Sequence, residues 1–175
     1  MYALRVELAH VDRNVYASLD FRMAMHPSES PEYFVARLLA YCLDYDEGIV
    51  FSKGVSDPDD PTLSVRDLTG TITTWIEIGS PDAARLHKAS KAAPRVVVFN
   101  HKEPSRWLEQ LSTEKIHKSE KLEVVELDRD LVAALVERLD RRMTLDLSVT
   151  DGAVFIGLGG ETLQGSLIPH RLPGI

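Results

Sequence analysis

Arg95–Phe99 places the strongest constraint on the fold, because Val96, Val97 and Val98 follow one another with no polar alternation. A strand with one wet face alternates apolar and polar residues, so an unbroken β-branched run belongs in the interior of a sheet. Helical patterns flank it in sequence. Pro81-Asp82 opens one that runs to about Ala93 with Leu86, Ala89 and Ala93 inward, and Pro104 opens another to about Ser112, anchored by Trp107, Leu108 and Leu111.

The rest of the chain supplies the sheet that such a strand requires. Ala3–Val11 and Val15–Met25 alternate and read as an N-terminal β-hairpin, with Arg5, Glu7, Asp20 and Arg22 outward. Ser30 and Pro31 form an N-cap and first helical position, predicting a helix to about Asp44 with Val35, Leu38, Leu39 and Cys42 on its buried face. At 100° per residue Glu32 falls about 20° from Leu39, so it is expected towards the core. Ile49-Val50-Phe51 is a short buried strand. Leu63–Leu68 and Ile72–Ile78 are two more, turning at Thr69-Gly70-Thr71. Leu122–Leu127 is a strand, and Asp128 caps a helix through Leu131, Val132, Leu135 and Leu139. Leu145–Thr150, Asp151-Gly152 and Ala153–Leu158 give a C-terminal hairpin; Leu163–Ile175 is ambiguous. The expectation is one α/β (α+β) domain of 175 residues, a mixed sheet flanked by helices.

Composition narrows the function classes. Hydrophobic residues make up 44% and charged residues 27%, as in a globular chain with its own core. Cys42 is the single cysteine, so no intramolecular disulfide forms, and its apolar setting predicts a buried, inert thiol. No membrane-length apolar run and no signal-peptide core are present, which predicts a cytoplasmic chain. A formal net charge of −7 disfavours strong nonspecific DNA binding, while leaving local basic patches open.

Common motifs fail on spacing. Gly157-Leu158-Gly159-Gly160 follows a hairpin strand and is a turn, not a dinucleotide fingerprint. Asp57, Asp59 and Asp60 start like a calcium loop, but Pro61, Thr62 and Leu68 occupy positions that such a loop does not tolerate. The six histidines (10, 26, 87, 101, 117 and 170) have no zinc-type pairing and read as surface or satisfied structural residues. Carboxylates remain: Glu29, Glu32, Asp60, Asp67 and Glu77. Glu77 is the most unusual, since a carboxylate in the strand Trp75-Ile76-Glu77-Ile78 requires a partner, either a cation or an arginine. The pattern alone favours a half-exposed sheet face with a cross-strand partner such as an arginine.

Several stretches then resemble a known family. His26-Pro27-Ser28-Glu29, Arg37-Leu38-Leu39-Ala40, Asp67-Leu68-Thr69-Gly70, Trp75-Ile76-Glu77-Ile78-Gly79 with Pro81-Asp82, and Met143-Thr144-Leu145 are similar to the YaeQ proteins, which resemble PD-(D/E)XK (restriction endonuclease-like) nucleases in fold. The resemblance implies a helix glutamate, a strand aspartate and a Glu-x-Lys holding Mg2+ or Mn2+, which activates water against a phosphodiester of nucleic acid. Carried over, Glu32 or Glu29 is the helix acid and Glu77 the acid of Glu-x-Lys. Asp67 stands ten positions earlier, whereas a two-residue turn at Thr69-Gly70 opposes Glu77 to Thr62, closer to Asp60.

Gly79 stands where the lysine belongs. Lys88 and Lys53 are candidate substitutes, although Lys88 lies about 200° around its helix from Leu86 and so faces solvent by default. Two functions follow from the resemblance: a metal-dependent phosphodiesterase, or a catalytically silent relative acting as a binding or interaction module.

Overall fold

The computed structural model describes residues 1–52 and 59–172. Lys53 and Asp57 therefore lie outside the described residues. Within them a single ten-stranded mixed sheet runs in the order β2-β1-β8-β9-β10-β7-β6-β5-β4-β3. The strands are β1 (Tyr2–His10), β2 (Val15–Met23), β3 (Ile49–Phe51), β4 (Leu63–Arg66), β5 (Ile72–Ile78), β6 (Arg95–Asn100), β7 (Glu123–Leu127), β8 (Arg142–Thr150), β9 (Ala153–Leu158) and β10 (Glu161–His170). The helices are α1 (Pro31–Leu43), α2 (Ala83–Ala92), α3 (Ser105–Ser112) and α4 (Arg129–Glu137). No helix is long and apolar enough to cross a membrane.

The valine strand occupies the interior position that its composition demands. β6 lies between β5 and β7, parallel to both, and Val96–Asn100 are buried. Its side chains divide between two cores: Val97 and Phe99 face α1 and α4, while Val96 and Val98 join Trp75, Leu86, Trp107 and Leu111 beneath α2 and α3. Each fully buried aliphatic or aromatic side chain contributes roughly 1.5–3 kcal/mol.

α1 is the centre of the larger core. Ser30 caps it by accepting from the Tyr33 N–H, and eight of its thirteen residues are buried. A helix covered on so many sides cannot lie on a flat sheet. The sheet curls around it until the two edge strands approach through an aromatic series: Phe21 of β2 packs on Tyr41 of α1 at 4.2 Å, and Tyr41 stacks on Phe51 of β3 at 4.9 Å. β10 joins the two halves, pairing with β9 over Glu161–Ser166 and with β7 over Leu167–His170. Gly165 permits this, because a Cβ there would meet the Leu131 side chain of α4 at 2.9 Å.

Three expectations change. The C-terminal region continues past Gly159-Gly160, both at positive φ, into the ten-residue strand β10. β4 stops at Arg66, because a register shift after Val65 and the carboxylate of Asp67, which accepts from the Thr69 and Thr71 N–H groups, build a wider turn with Leu68 fully exposed. Glu32 is exposed: it sits in the first turn of α1, ahead of the packed stretch that begins at Phe34. α1 ends at Leu43 with Asp44 as its C-cap, as expected. The two hairpins, the helix caps at Ser30, Asp82 and Asp128, and buried Cys42 match the expectations, and burial pushes the Cys42 thiol well above its usual range.

The far end of α1 is fixed by charge. Arg13, from the β1–β2 turn, donates to the Leu43 and Tyr45 carbonyls at 3.0 Å. Arg95 forks onto buried Asp44 at 2.8 and 3.0 Å and onto Glu123 at 2.7 and 3.1 Å, so one guanidinium ties α1 to β6 and β7. Removing one partner of a buried pair strands the other charge. Arg95→Ala is therefore expected to cost about 3 kcal/mol in urea unfolding, whereas Arg5→Ala, from an exposed pair, costs at most about 1 kcal/mol.

Candidate functional site

β5 delivers Glu77 to its carboxyl end, where the strand leaves the sheet through Gly79 and turns into α2. The register that pairs Leu63 with Ile76 places Thr62 opposite Glu77. Trp75 and Glu77 share the face towards α2, as alternation requires. Glu77 is 3% exposed and its carboxylate is fully engaged, by an arginine of α2, which corrects the expectation of a half-exposed face with a cross-strand partner. Arg85 donates through Nε to Oε1 in a close ion pair and through Nη2 to Oε2 at 3.1 Å. Oε2 also accepts from Trp75 Nε1 at 2.9 Å and from the Thr62 N–H at 3.1 Å. The Glu77 hydrogen bond is the foremost cause that raises the Arg85 pKa.

Arg85 is the site residue that the sequence reading missed. It lies eight residues after Glu77, in the first turn of a helix whose N-cap, Asp82, accepts from the Arg85 N–H at 2.8 Å. That spacing is the available signal: a short connection after a parallel strand brings the first turn of the next helix back over the strand end. The same guanidinium donates to the Asp60 carbonyl at 2.8 Å, so the loop before β4 is held against Glu77 by main chain.

The other candidate acids have their own partners. Glu29 lies in the turn before α1, not on the helix; it accepts from Arg37 at 2.6 and 3.1 Å and from the His26 N–H at 2.8 Å. Asp60 directs its carboxylate to Arg66 at 3.6 Å. Asp67 is occupied in its own turn, where the Thr69 hydroxyl is the foremost group holding its pKa low. It stands opposite Thr71, six residues from Glu77 along β5, or roughly 20 Å at the rise of a strand. Lys88 pairs with Asp59. Arg85 thus joins Glu77 to the Asp60 main chain, while Glu29 is held by Arg37, Asp67 by its own turn and Lys88 by Asp59. Among the described residues no three His, Cys, Asp or Glu side chains form a group able to hold a metal ion.

Tyr33, in the first turn of α1, feels both ion pairs. Burial raises its hydroxyl pKa, the Thr62 hydroxyl opposes that shift, and both Glu77 and Glu29 add to it. Beside it is His101, whose ring meets Tyr33 edge-on at 6.1 Å. His101 is 8% exposed and its Nδ1 is buried without a hydrogen-bond partner, which corrects the expectation that every histidine is on the surface or satisfied. Burial first, then Lys102, lowers its pKa, with Glu32 opposing.

Two measurements test these environments. Glu77→Ala leaves a buried indole N–H and a guanidinium without their acceptor, so a loss of about 3 kcal/mol is expected in urea unfolding, and Glu77→Gln, which keeps one acceptor oxygen, loses less. For His101 the folded pKa lies below the unfolded value, so the unfolded chain binds more protons, and stability falls as pH drops below about 6.5. Unfolding free energy measured at pH 7.0 and 5.5 is expected to decline less in His101→Phe than in the unaltered chain.

The chain was compared with known proteins. The family model described as "YaeQ protein" matches residues 1–167. The YaeQ proteins of Salmonella typhi and Escherichia coli are 34% and 31% identical to this chain, with 99% of it and 96% of each relative aligned. Two crystal structures are similar throughout: YaeQ from Xanthomonas axonopodis pv. citri, with a TM-score of 0.89, 29% identity and 98% of both chains covered, and YaeQ from Pseudomonas syringae, with a TM-score of 0.86, 28% identity and 99% of this chain and 96% of that one covered. The stretches around Glu29, Glu77 and Met143 that first suggested the likeness lie inside the matched span, and the chain belongs to the YaeQ family.

Proposed function

We propose that this chain is a catalytically silent protein of PD-(D/E)XK nuclease-like fold that serves as a binding or interaction module. The observation that carries the reading is the occupancy of Glu77. Arg85 is bonded to both of its oxygens, and Trp75 and Thr62 take further acceptor positions on one of them. A divalent ion at that carboxylate would stand within about 4 Å of a guanidinium, a repulsion on the order of 8 kcal/mol at an effective dielectric of 20. Hard cations bind clusters of free oxygen ligands, so this donor set does not fit Mg2+ or Mn2+. The site holds charge in place and offers none to a metal.

A second reading, a phosphodiesterase acting on nucleic acid with Mg2+ or Mn2+, draws support from Tyr33, whose hydroxyl pKa both Glu29 and Glu77 raise. It requires Arg85 to leave Glu77.

Titration calorimetry with manganese separates the two. No saturable micromolar site is expected; one that disappears in Glu77→Ala overturns the silent reading. DNA and RNA panels with either metal are expected to stay intact, and cleavage abolished by Glu77→Ala would establish the phosphodiesterase.

A further inference from the structure

The sheet ends in two edges of different construction. β3 is three residues long, and a very short edge strand is one of the ways by which sheets avoid pairing with other chains. β2 has nine residues, pairs with β1 from Val15 to Met23 without a bulge, and contains no proline, glycine or lysine. Among the described residues no backbone hydrogen bond outside the β1 ladder reaches β2.

We propose that β2 is a homodimer interface, in which two copies pair antiparallel about a two-fold axis through Leu19. Full overlap of the nine residues sets the register. It opposes Val15 to the partner's Met23 and Ala17 to the partner's Phe21 on the core side. On the solvent side it opposes Tyr16 to the partner's Arg22 and Ser18 to the partner's Asp20. A two-fold antiparallel pair matches odd positions with odd, so core-side residues meet core-side residues and solvent-side residues meet solvent-side residues.

The outer row is what selects a second copy as the occupant. Tyr16 is 60% exposed, and Arg22, also exposed, has no ion pair or hydrogen bond among the described residues. These two unpartnered side chains oppose one another twice across the axis, in the arrangement of an arginine over a tyrosine ring. The other two outer residues are engaged within the protomer, Asp20 with Arg5 at 3.6 Å and Ser18 donating to Glu7 at 2.6 Å. No two like charges are directly opposed, which a sheet interface requires. The row is complementary to itself.

The test is the mass of the full chain by sedimentation from micromolar to millimolar concentration. The expected result is a rise from the 19.6 kDa chain towards twice that mass. Arg22→Asp and Tyr16→Ala are expected to weaken association about tenfold, with unchanged circular dichroism because both side chains are exposed. Ser18→Cys combined with Asp20→Cys is expected to give an oxidised, covalently linked dimer, which reports the register. A mass that stays at one chain throughout overturns the proposal. So does association that survives Arg22→Asp undiminished, or that is lost in Val50→Asp on the β3 edge.

Discussion

The burial of α1 is the constraint from which the rest of the architecture follows. A helix with buried residues at Phe34, Val35, Ala36, Leu38, Leu39, Ala40, Cys42 and Leu43 has almost no wet face. A flat sheet covers one stripe of a helix. Covering the remainder requires the sheet to curl, and ten strands supply the span. The bend falls in β10, where pairing passes from β9 to β7, and Gly165 admits α4 at that bend. The aromatic series Phe21, Tyr41 and Phe51 completes the enclosure across the gap between the two sheet edges.

An enclosed helix also presents its ends as electrostatic problems. Its last carbonyls are met by Arg13 and its C-cap aspartate by Arg95. Its first turn carries Tyr33, which feels both Glu29 and Glu77. In both places an arginine answers a buried carboxylate, so a chain of net charge −7 is close to neutral where it is driest. Such pairing reflects the cost of isolating a charge from water more than any gain from the pair itself.

Periodicity and caps made most of this architecture legible in the sequence. The valine run, the Asp151-Gly152 hairpin and the caps at Ser30, Asp82 and Asp128 are local signals, and local chemistry determines them. β10 was ambiguous in the sequence, where its alternation is interrupted by Gly165, which is there for helix packing, and by Pro169, which lies near the strand end. Asp67 resembled a ligand by spacing, but its carboxylate completes a turn two to four residues away. Glu32 had the right helical angle at the wrong depth: angle is periodic along a sequence, whereas depth depends on how far the helix protrudes beyond its neighbours. Arg85 was invisible to strand alternation because its role arises only when α2 folds back over β5.

Gly79 joins these observations. Its φ of +88° lies in the region that side-chain-bearing residues enter at a cost of roughly 1–2 kcal/mol. Space is not the obstacle, since an added Cβ would find only His101 Cε1, at 3.7 Å. The backbone turn that carries β5 into α2 is what favours glycine over lysine. Asn100 reinforces that turn by donating to the Gly79 carbonyl and to Ser80, both at 2.9 Å. Once the strand leaves the sheet at that angle, a cation for Glu77 has to come from the next element. The first turn of α2, aligned by the Asp82 cap, is the element in reach, and Arg85 is the residue it presents.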